Sequence, residues 1–267
     1  MMRSRFIRDV GLVLSDAADL IYPDALYCIA CGKVIDDSRR YRLCNDCMSD
    51  IRWATGRTCS KCGKILAGDN EGTVCRSCKE HGHLFDVGIT CAEYGRTVRS
   101  VIFALKYSGR TDIAKTVAEI MANRLEFEAA RGGGRFDIRD TDILIPVPMF
   151  GRKEAAKGFN QTQLIAEELC RRLGRDICRD DVVKRVRETQ AMRGLAPAER
   201  RANISGAFNL TDEDAQFVIR GRSIAVLDDI YTSGATADEM AGLLKENGAT
   251  RVAVVTFAAG ADVIKEL

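Results

Sequence analysis

Short apolar runs alternate along the chain with amphipathic stretches, and the runs read as buried strands of a parallel sheet. Four carry the pattern: Val87 to Tyr94, Asp142 to Val147, Ile224 to Leu227 and Arg251 to Phe257. Helices are predicted between them. Residues 97–107 present an apolar face and stop at Ser108-Gly109. Thr111 or Asp112 can cap the next helix, which runs to Ala130 and ends in Arg131 and three glycines. A helix over 162–173 closes at Gly174, and one with Met240, Leu243 and Leu244 on one face closes at Gly248. Pro146 and Pro148 remove two ladder donors, so the second strand ends there. Strand and helix in alternation predict an α/β domain with a parallel sheet over residues 85–267. Residues 4–21 read as an amphipathic packing helix stopped by Pro23, within an N-terminal unit of residues 1–24.

Residues 25–84 lack such periodicity and hold cysteines instead. The pattern Cys28-x2-Cys31-x12-Cys44-x2-Cys47 recurs unchanged as Cys59-x2-Cys62-x12-Cys75-x2-Cys78, with one constant offset for every cysteine. Gly32-Lys33 and Gly63-Lys64 repeat with them. Two residues between cysteines let a tight knuckle aim both sulfurs at one ion, and two knuckles complete a tetrahedral thiolate site. The spacing predicts two structural Zn²⁺ sites in a double zinc ribbon, filled one quartet after the other. Disulfides would need an oxidising compartment, and a redox pair has no reason to repeat four times. His81 and His83 follow the last knuckle and read as exposed linker residues. Cys91, Cys170 and Cys178 fit no ligand spacing and read as small core residues.

The chemistry-bearing stretch is Ile224 to Thr236. An apolar strand runs into the acidic pair Asp228-Asp229, then the small-residue turn Thr232-Ser233-Gly234-Ala235-Thr236, then a helix. This order places a binding site at the C-terminal edge of the sheet. The turn offers backbone N–H groups, hydroxyls and a helix N-terminus to an anion, and the acids suit a polyol or a metal. A second strand-to-helix connection, Met149 to Asn160, reads as a basic loop with Arg152, Lys153, Lys157 and Gly158. Residues 184–201 carry six Lys/Arg against two acids and read as a basic lid, with a solvated surface hairpin as the alternative.

Composition narrows this only slightly. The 267 residues are 46% hydrophobic and 29% charged, as in ordinary globular chains, and the net charge of +2 does not predict indiscriminate nucleic-acid binding. Residues 28–80 carry ten Lys/Arg and seven Asp/Glu, an excess that two tetrathiolate zinc centres would cancel. No apolar run has the length of a membrane span or a signal core, which leads to an expectation of a cytoplasmic protein without membrane insertion.

Residues 224–236 resemble the 5-phosphoribosyl-1-pyrophosphate (PRPP) motif of type I phosphoribosyltransferases. That resemblance implies that Asp228 and Asp229 hold the ribose 2′ and 3′ hydroxyls, and that Thr232, Ser233, Gly234, Ala235 and Thr236 cradle the 5′-phosphate. The whole chain resembles the ComF family, in which a double zinc ribbon precedes a type I phosphoribosyltransferase-like domain. The resemblance rests on the cysteine quartets, Leu105-Lys106-Tyr107-x-Gly109, Pro146-Val147-Pro148, Gly158-Phe159-Asn160-Gln161, Arg187 with Thr189-Gln190, Arg200 with Asn203 and Phe208, and the 228–236 motif. Lys157 stands where the family pattern has arginine, which keeps the charge and loses the bidentate fork. The family implies a link to DNA uptake in natural transformation, with PRPP or a related phosphorylated ribose as ligand and Mg²⁺ accompanying PRPP. Lys106, Arg152, Lys157, Gly158, Asn160 and Arg187 are the candidates for the pyrophosphate side. Two functions follow: a phosphoribosyltransferase with an unassigned acceptor, or a non-catalytic PRPP- or nucleotide-sensing adaptor whose ribbons bind DNA-uptake proteins or single-stranded DNA.

Overall fold

The computed structural model describes residues 26–131, 135–190 and 194–262, and the helix predicted at 4–21 lies outside them. Four parallel strands form the central sheet: β1 (Val87–Glu93), β2 (Ile143–Pro146), β5 (Ser223–Tyr231) and β6 (Arg251–Ala259), in the order β1-β6-β5-β2. A short antiparallel pair, β3 (Val183–Arg185) with β4 (Phe208–Leu210), stands apart from it. All four runs read as strands from the sequence form the sheet, and β2 ends at Pro146 as its missing donors require.

Alternation along each strand sorts the core into two layers. Ala225 and Leu227 of β5 join Ala253 and Val255 of β6 and Ile89 of β1 on one face. That face is covered by α3 (Arg96–Tyr107), α4 (Ile113–Ala130) and α6 (Gln161–Leu173). Ile224 and Val226 join Val252 and Val254 on the other. There α8 (Asp214–Ile219), α9 (Ala235–Glu246) and the β3–β4 pair supply the cover. Cys91 and Cys170 are buried, and Cys178 is partly so.

Two connections differ from expectation. The Met149–Asn160 segment is not a plain loop: Gly151–Lys157 forms a short helix, α5, closed by Gly158 at φ 86°. Residues 184–201, read as a lid or a surface hairpin, are anchored at both ends. They begin in β3 and end in α7 (Pro197–Ile204), whose entry is fixed by the Glu199 carboxylate accepting from the Ala196 N–H at 2.6 Å. No described helix is long and apolar enough to cross a membrane.

The cysteine repeat is a structural repeat. Tyr27 pairs with Val34 and Thr58 with Ile65, two antiparallel bridges at equivalent positions of the two units. Each second knuckle opens a short helix, α1 (Asn45–Asp50) behind Cys44 and α2 (Arg76–Glu80) behind Cys75. Gly32 and Gly63 turn the knuckles at φ 74° and 77°, where a side chain would be strained. The zinc-ribbon module also clothes the β1 edge of the sheet. Ala54 donates to the Cys91 carbonyl (2.8 Å) and Glu93 to the Arg52 carbonyl (2.9 Å), so residues 52–54 act as an added edge segment. The first ribbon packs into one core layer and the second into the other. Buried Asp262 then ties the far end of the chain to the second ribbon, accepting from Ala67 N, Asn70 Nδ2 and Arg76 N at 3.2, 2.9 and 2.9 Å.

The tightest approach is backbone to backbone. A Cβ on Gly88 would lie 2.6 Å from the Cys62 carbonyl oxygen, and one on Gly63 would lie 2.6 Å from the Gly88 oxygen. Gly88→Ala is therefore expected to cost about 1–3 kcal/mol through overpacking, and to lower the zinc-loaded melting temperature and speed chelator stripping of one zinc equivalent. An unchanged melt would show that the second ribbon does not bear on β1.

Candidate functional site

In each cysteine quartet the four ligand atoms lie within 4.8 Å of one another. Cys31 Sγ and Cys44 Sγ are 3.7 Å apart, and Cys62 Sγ and Cys75 Sγ 3.6 Å. A zinc ion with four sulfurs at about 2.3 Å sets tetrahedral edges of about 3.8 Å, so both quartets fit the metal, in sequential rather than interleaved order. The Cys44 and Cys62 N–H groups donate to Cys28 Sγ (3.4 Å) and Cys59 Sγ (3.5 Å), which favours thiolate. Four protein ligands per ion leave no open position, so these sites hold structure.

The second site lies where β5 outruns its neighbour. β2 pairs with β5 as far as Pro146 opposite Leu227, and the Val147 N–H donates once more to the Leu227 carbonyl at 2.9 Å. β5 continues alongside β6 to Tyr231 opposite Ala259. Asp228 and Asp229 thus stand beside a crevice. Consecutive strand residues point to opposite faces, so the two carboxylates meet different neighbours. Asp229 turns toward α3 and α6, where Lys106 Nζ lies 2.5 Å from Oδ2 and Gln161 Nε2 lies 3.5 Å away. Lys157 Nζ donates to Gln161 Oε1 at 2.5 Å and sits 4.2 Å from the centroid of the Phe159 ring. Asp228 Oδ1 accepts from the Asp229 N–H at 2.8 Å, and its charge works against the fall of Arg185 on β3.

Burial, then the Asp229 charge, push the Asp228 carboxyl up to about 8, against the pull of Lys106. Burial and the neighbouring Lys106 ammonium push Lys157 down to about 8. Lys106 also suffers from burial, yet Asp229 and then Asp228 hold it above the ordinary lysine range. Burial lowers Arg185, with Asp228 opposing and Arg187 adding to the fall. The Arg185 guanidinium lies over the Phe208 ring and donates to Thr189 Oγ1, while its buried Nε has no partner. The site therefore holds more buried charge than its own pairs satisfy.

Beside the acids, the turn at 232–236 lines a cleft with Asp228, Val147 and Thr256. Gly234 adopts φ 85°, and a Cβ there would meet Tyr231 Oη at 2.6 Å and His83 Cε1 at 2.7 Å. Ser233 Oγ is buried without a partner, beside the N-terminus of α9. His83 is not an exposed linker residue: its side chain is only 2% exposed. Its Nδ1 lies 2.8 Å from Asp238 Oδ2, its Nε2 lies 3.0 Å from Tyr231 Oη, and its ring stacks on Phe85. Asp238 also accepts from the Leu84 N–H at 2.9 Å. The segment leaving the second ribbon thus buttresses the turn from behind.

The sequence candidates separate in space. Lys106 and Lys157 meet at Asp229. Gly158 closes α5, and Asn160 is buried, donating to the Val147 carbonyl (3.2 Å) and accepting from Thr162 N, so it braces the crevice wall. Arg152 is exposed on α5, with no ion pair among the described residues. Arg187 is exposed and donates to the carbonyls of Asn203 (2.9 Å) and Ser205 (2.5 Å). Sequence reasoning does not single out Arg185, although the run Val183-Lys184-Arg185 places it on the inward side of β3.

These shifts predict a pH signature. Asp228 binds its proton more tightly folded than unfolded, so it favours folding fully below about pH 4 and loses that contribution as pH rises to about 8. Lys157 has the opposite sense, disfavouring folding below about pH 8 and ceasing to do so as pH rises toward its ordinary value. In urea titrations of zinc-loaded, ligand-free protein, the stability of wild type minus that of Asp228→Asn should fall between pH 5 and 8. A flat difference would place the buried proton elsewhere.

A double zinc ribbon family model matches residues 17–79. The chain is 31% identical over 228 residues to the DNA utilization protein YhgH of Escherichia coli O6:H1, covering 79% of this chain and 93% of that protein. It is 30% identical over 182 residues to competence protein F of Haemophilus influenzae, covering 67% and 76%. It is 24% identical over 213 residues to competence protein ComFC of Bacillus subtilis, covering 78% and 79%. Paired thiolate clusters on a parallel α/β sheet, together with relatives aligned over most of their length, establish that this chain belongs to the ComF family.

Proposed function

We propose that the protein binds PRPP at the C-terminal end of β5 and works in the handling of imported DNA. Support for the process comes from relatives named for competence and DNA utilization. The ligand reading is carried by one observation. Two adjacent carboxylates, Asp229 paired with Lys106 and Asp228 accepting from the Asp229 N–H, stand beside a turn with a left-handed Gly234 and the unpartnered Ser233 hydroxyl. A phosphorylated ribose matches both halves. The 5′-phosphate takes the turn N–H groups, the Ser233 hydroxyl and the α9 N-terminus. The 2′ and 3′ hydroxyls take Asp228 and Asp229. The pyrophosphate lies toward Lys106, Lys157 and Arg185, with Mg²⁺ arriving as part of the substrate complex.

The arrangement is suited to transferring the 5-phosphoribosyl group. The bond from ribose C1 to the pyrophosphate oxygen breaks, the electron pair leaves with pyrophosphate, and an acceptor nucleophile bonds to C1. Fixed charge around the leaving group, rather than a strong base, is what such a transition state needs.

Calorimetry on zinc-loaded protein with Mg²⁺ should show saturable PRPP binding. Replacing both acids, Asp228→Asn with Asp229→Asn, should abolish it while zinc stays at two equivalents. Arg185→Ala should weaken binding by roughly tenfold or more, as for a charged hydrogen bond, whereas Arg187→Ala should not reach the site. Absence of PRPP binding to wild type would overturn the assignment. Binding without pyrophosphate release across nucleobase and amine acceptors would identify the sensing adaptor in place of the transferase.

A further inference from the structure

Three cysteines stand outside the zinc quartets, and two of them meet. α6 ends at Gly174, and the Arg175 N–H donates back to the Cys170 carbonyl at 3.0 Å. The chain then follows the outer edge of β2, where Leu144 donates to the Ile177 carbonyl (2.8 Å) and Arg179 to the Leu144 carbonyl (2.9 Å). That register sets Cys178 beside Leu144, and the Cys178 and Cys170 side chains hydrogen-bond each other. Both cysteines line one cavity of about 420 Å³, together with Arg171 and Arg175. Cys170 is buried and Cys178 half-buried, so the pair is reached from the Cys178 side.

Packing alone does not account for this pair. A cysteine used only as a small hydrophobe is inert, and Cys91 is one: it is buried in the core, and burial pushes its thiol up to about 12. Cys170 departs the other way. The Cys178 side chain, working against burial, holds the Cys170 thiol below its ordinary value, with the Ile177 N–H and the Arg175 charge adding to the fall and Asp176 opposing it. Cys178 itself is pushed far up, by the Cys170 side chain first and then by burial, with Asp180 and Glu167 adding to the rise. Two neighbouring thiols are thus unequal, one inclined to ionise and the other to keep its proton.

We infer that Cys170 and Cys178 form a hydroperoxide-reactive dithiol, separate from the β5 crevice, that closes reversibly to a disulfide clipping the end of α6 to the β2 edge. Cys170 is the attacking sulfur and Cys178 the resolving one. The Cys170 thiolate bonds to one peroxide oxygen, giving a sulfenic acid. The O–O bond breaks, and its electron pair leaves on the other oxygen, which takes a proton from solvent and departs as water or an alcohol. The Cys178 sulfur then gives up its proton and bonds to the Cys170 sulfur. The S–O bond breaks, and the hydroxide takes that proton and leaves as water. Two thiol sulfurs are oxidised and the two peroxide oxygens are reduced. The bond formed, about 2.05 Å long, asks only that two side chains already in contact turn toward each other.

The test treats full-length, zinc-loaded protein with a small excess of hydrogen peroxide, alkylates the remaining thiols after denaturation, and maps the tryptic peptides by mass. Cleavage after Arg171, Arg175 and Arg179 separates the two cysteines, so their disulfide joins peptide 158–171 to peptide 176–179, and a phosphine reductant parts them again. This linkage should form at least about tenfold faster than any oxidation of Cys91, because the thiolate is the reacting form, and zinc should stay at two equivalents. In Cys178→Ser the resolving thiol is gone, so Cys170 should accumulate as a sulfenic acid that dimedone labels. In Cys170→Ser, Cys178 should stay reduced at the same dose. The wild-type map decides the matter even where a variant folds poorly. The inference is overturned if both peptides return as alkylated thiols, if either cysteine is found linked to a zinc ligand instead, or if zinc is lost before the linkage appears. A folded Cys178→Ser protein that takes no dimedone would overturn the assignment of Cys170 as the attacking sulfur.

Discussion

The site depends on the two-residue period of a strand. In β5 the same alternation that sends Leu227 to one core layer and Val226 to the other sends Asp229 and Asp228 to opposite sides of the sheet edge. The two like charges still repel, and after burial the Asp229 charge is what pushes the Asp228 carboxyl up to about 8. Lys106 from α3 supplies the counter-charge, paired with Asp229 at 2.5 Å and pulling Asp228 down as well. The crevice exists because Pro146 and Pro148 stop β2 early, leaving β5 to project past it.

The zinc ribbons enter the same logic from the other edge. β1 would be an exposed edge strand, and residues 52–54 and the two knuckles cover it. With few large apolar residues, the ribbons gain order from metal, and they transmit that order through backbone contacts too close for any side chain at Gly88. The contact extends to the 232–236 turn, since His83 and Leu84, just beyond the last knuckle, are bonded to Asp238 and Tyr231. The segment leaving the last knuckle is thus tied to the 232–236 turn by three hydrogen bonds.

What can be read from the sequence follows from whether its signal is local. The strands are legible because a buried parallel strand is a continuous apolar run, and the zinc sites because the two quartets repeat at one fixed offset with their glycines. The 228–236 turn is legible because acid pair, glycine and helix start are contiguous. Residues whose role depends on distant partners are not. Arg187 and Arg185 stand close together on the chain, and only the pairing of β3 with β4 shows that Arg185 lies toward Asp228 while Arg187 clamps the end of α7. His83 carries no spacing signal, since its partners Asp238 and Tyr231 belong to the opposite end of the chain. α5 escapes sequence reading because so short a helix gives too little periodicity to separate it from a basic loop.

The electrostatics of the crevice bear on how it would select a ligand. An ion pair as buried as Lys106–Asp229 gains little net stability, because desolvation offsets most of the attraction. Its value is then as a placeholder: a sugar diol can take the carboxylate while a phosphate takes the lysine, so neither charge is left bare. A ligand with only hydroxyls would free Lys106 without replacing its partner, and one with only a phosphate would do the same to Asp229. The lowered Lys157 and the unpartnered Arg185 Nε lean the balance further toward anionic ligands, since a negative charge brought near them restores what burial and like charge have removed. Under the proposed function the crevice would discriminate by requiring both chemistries at once, and this is the physical reason to look for a phosphorylated ribose rather than a simple sugar or a simple phosphate.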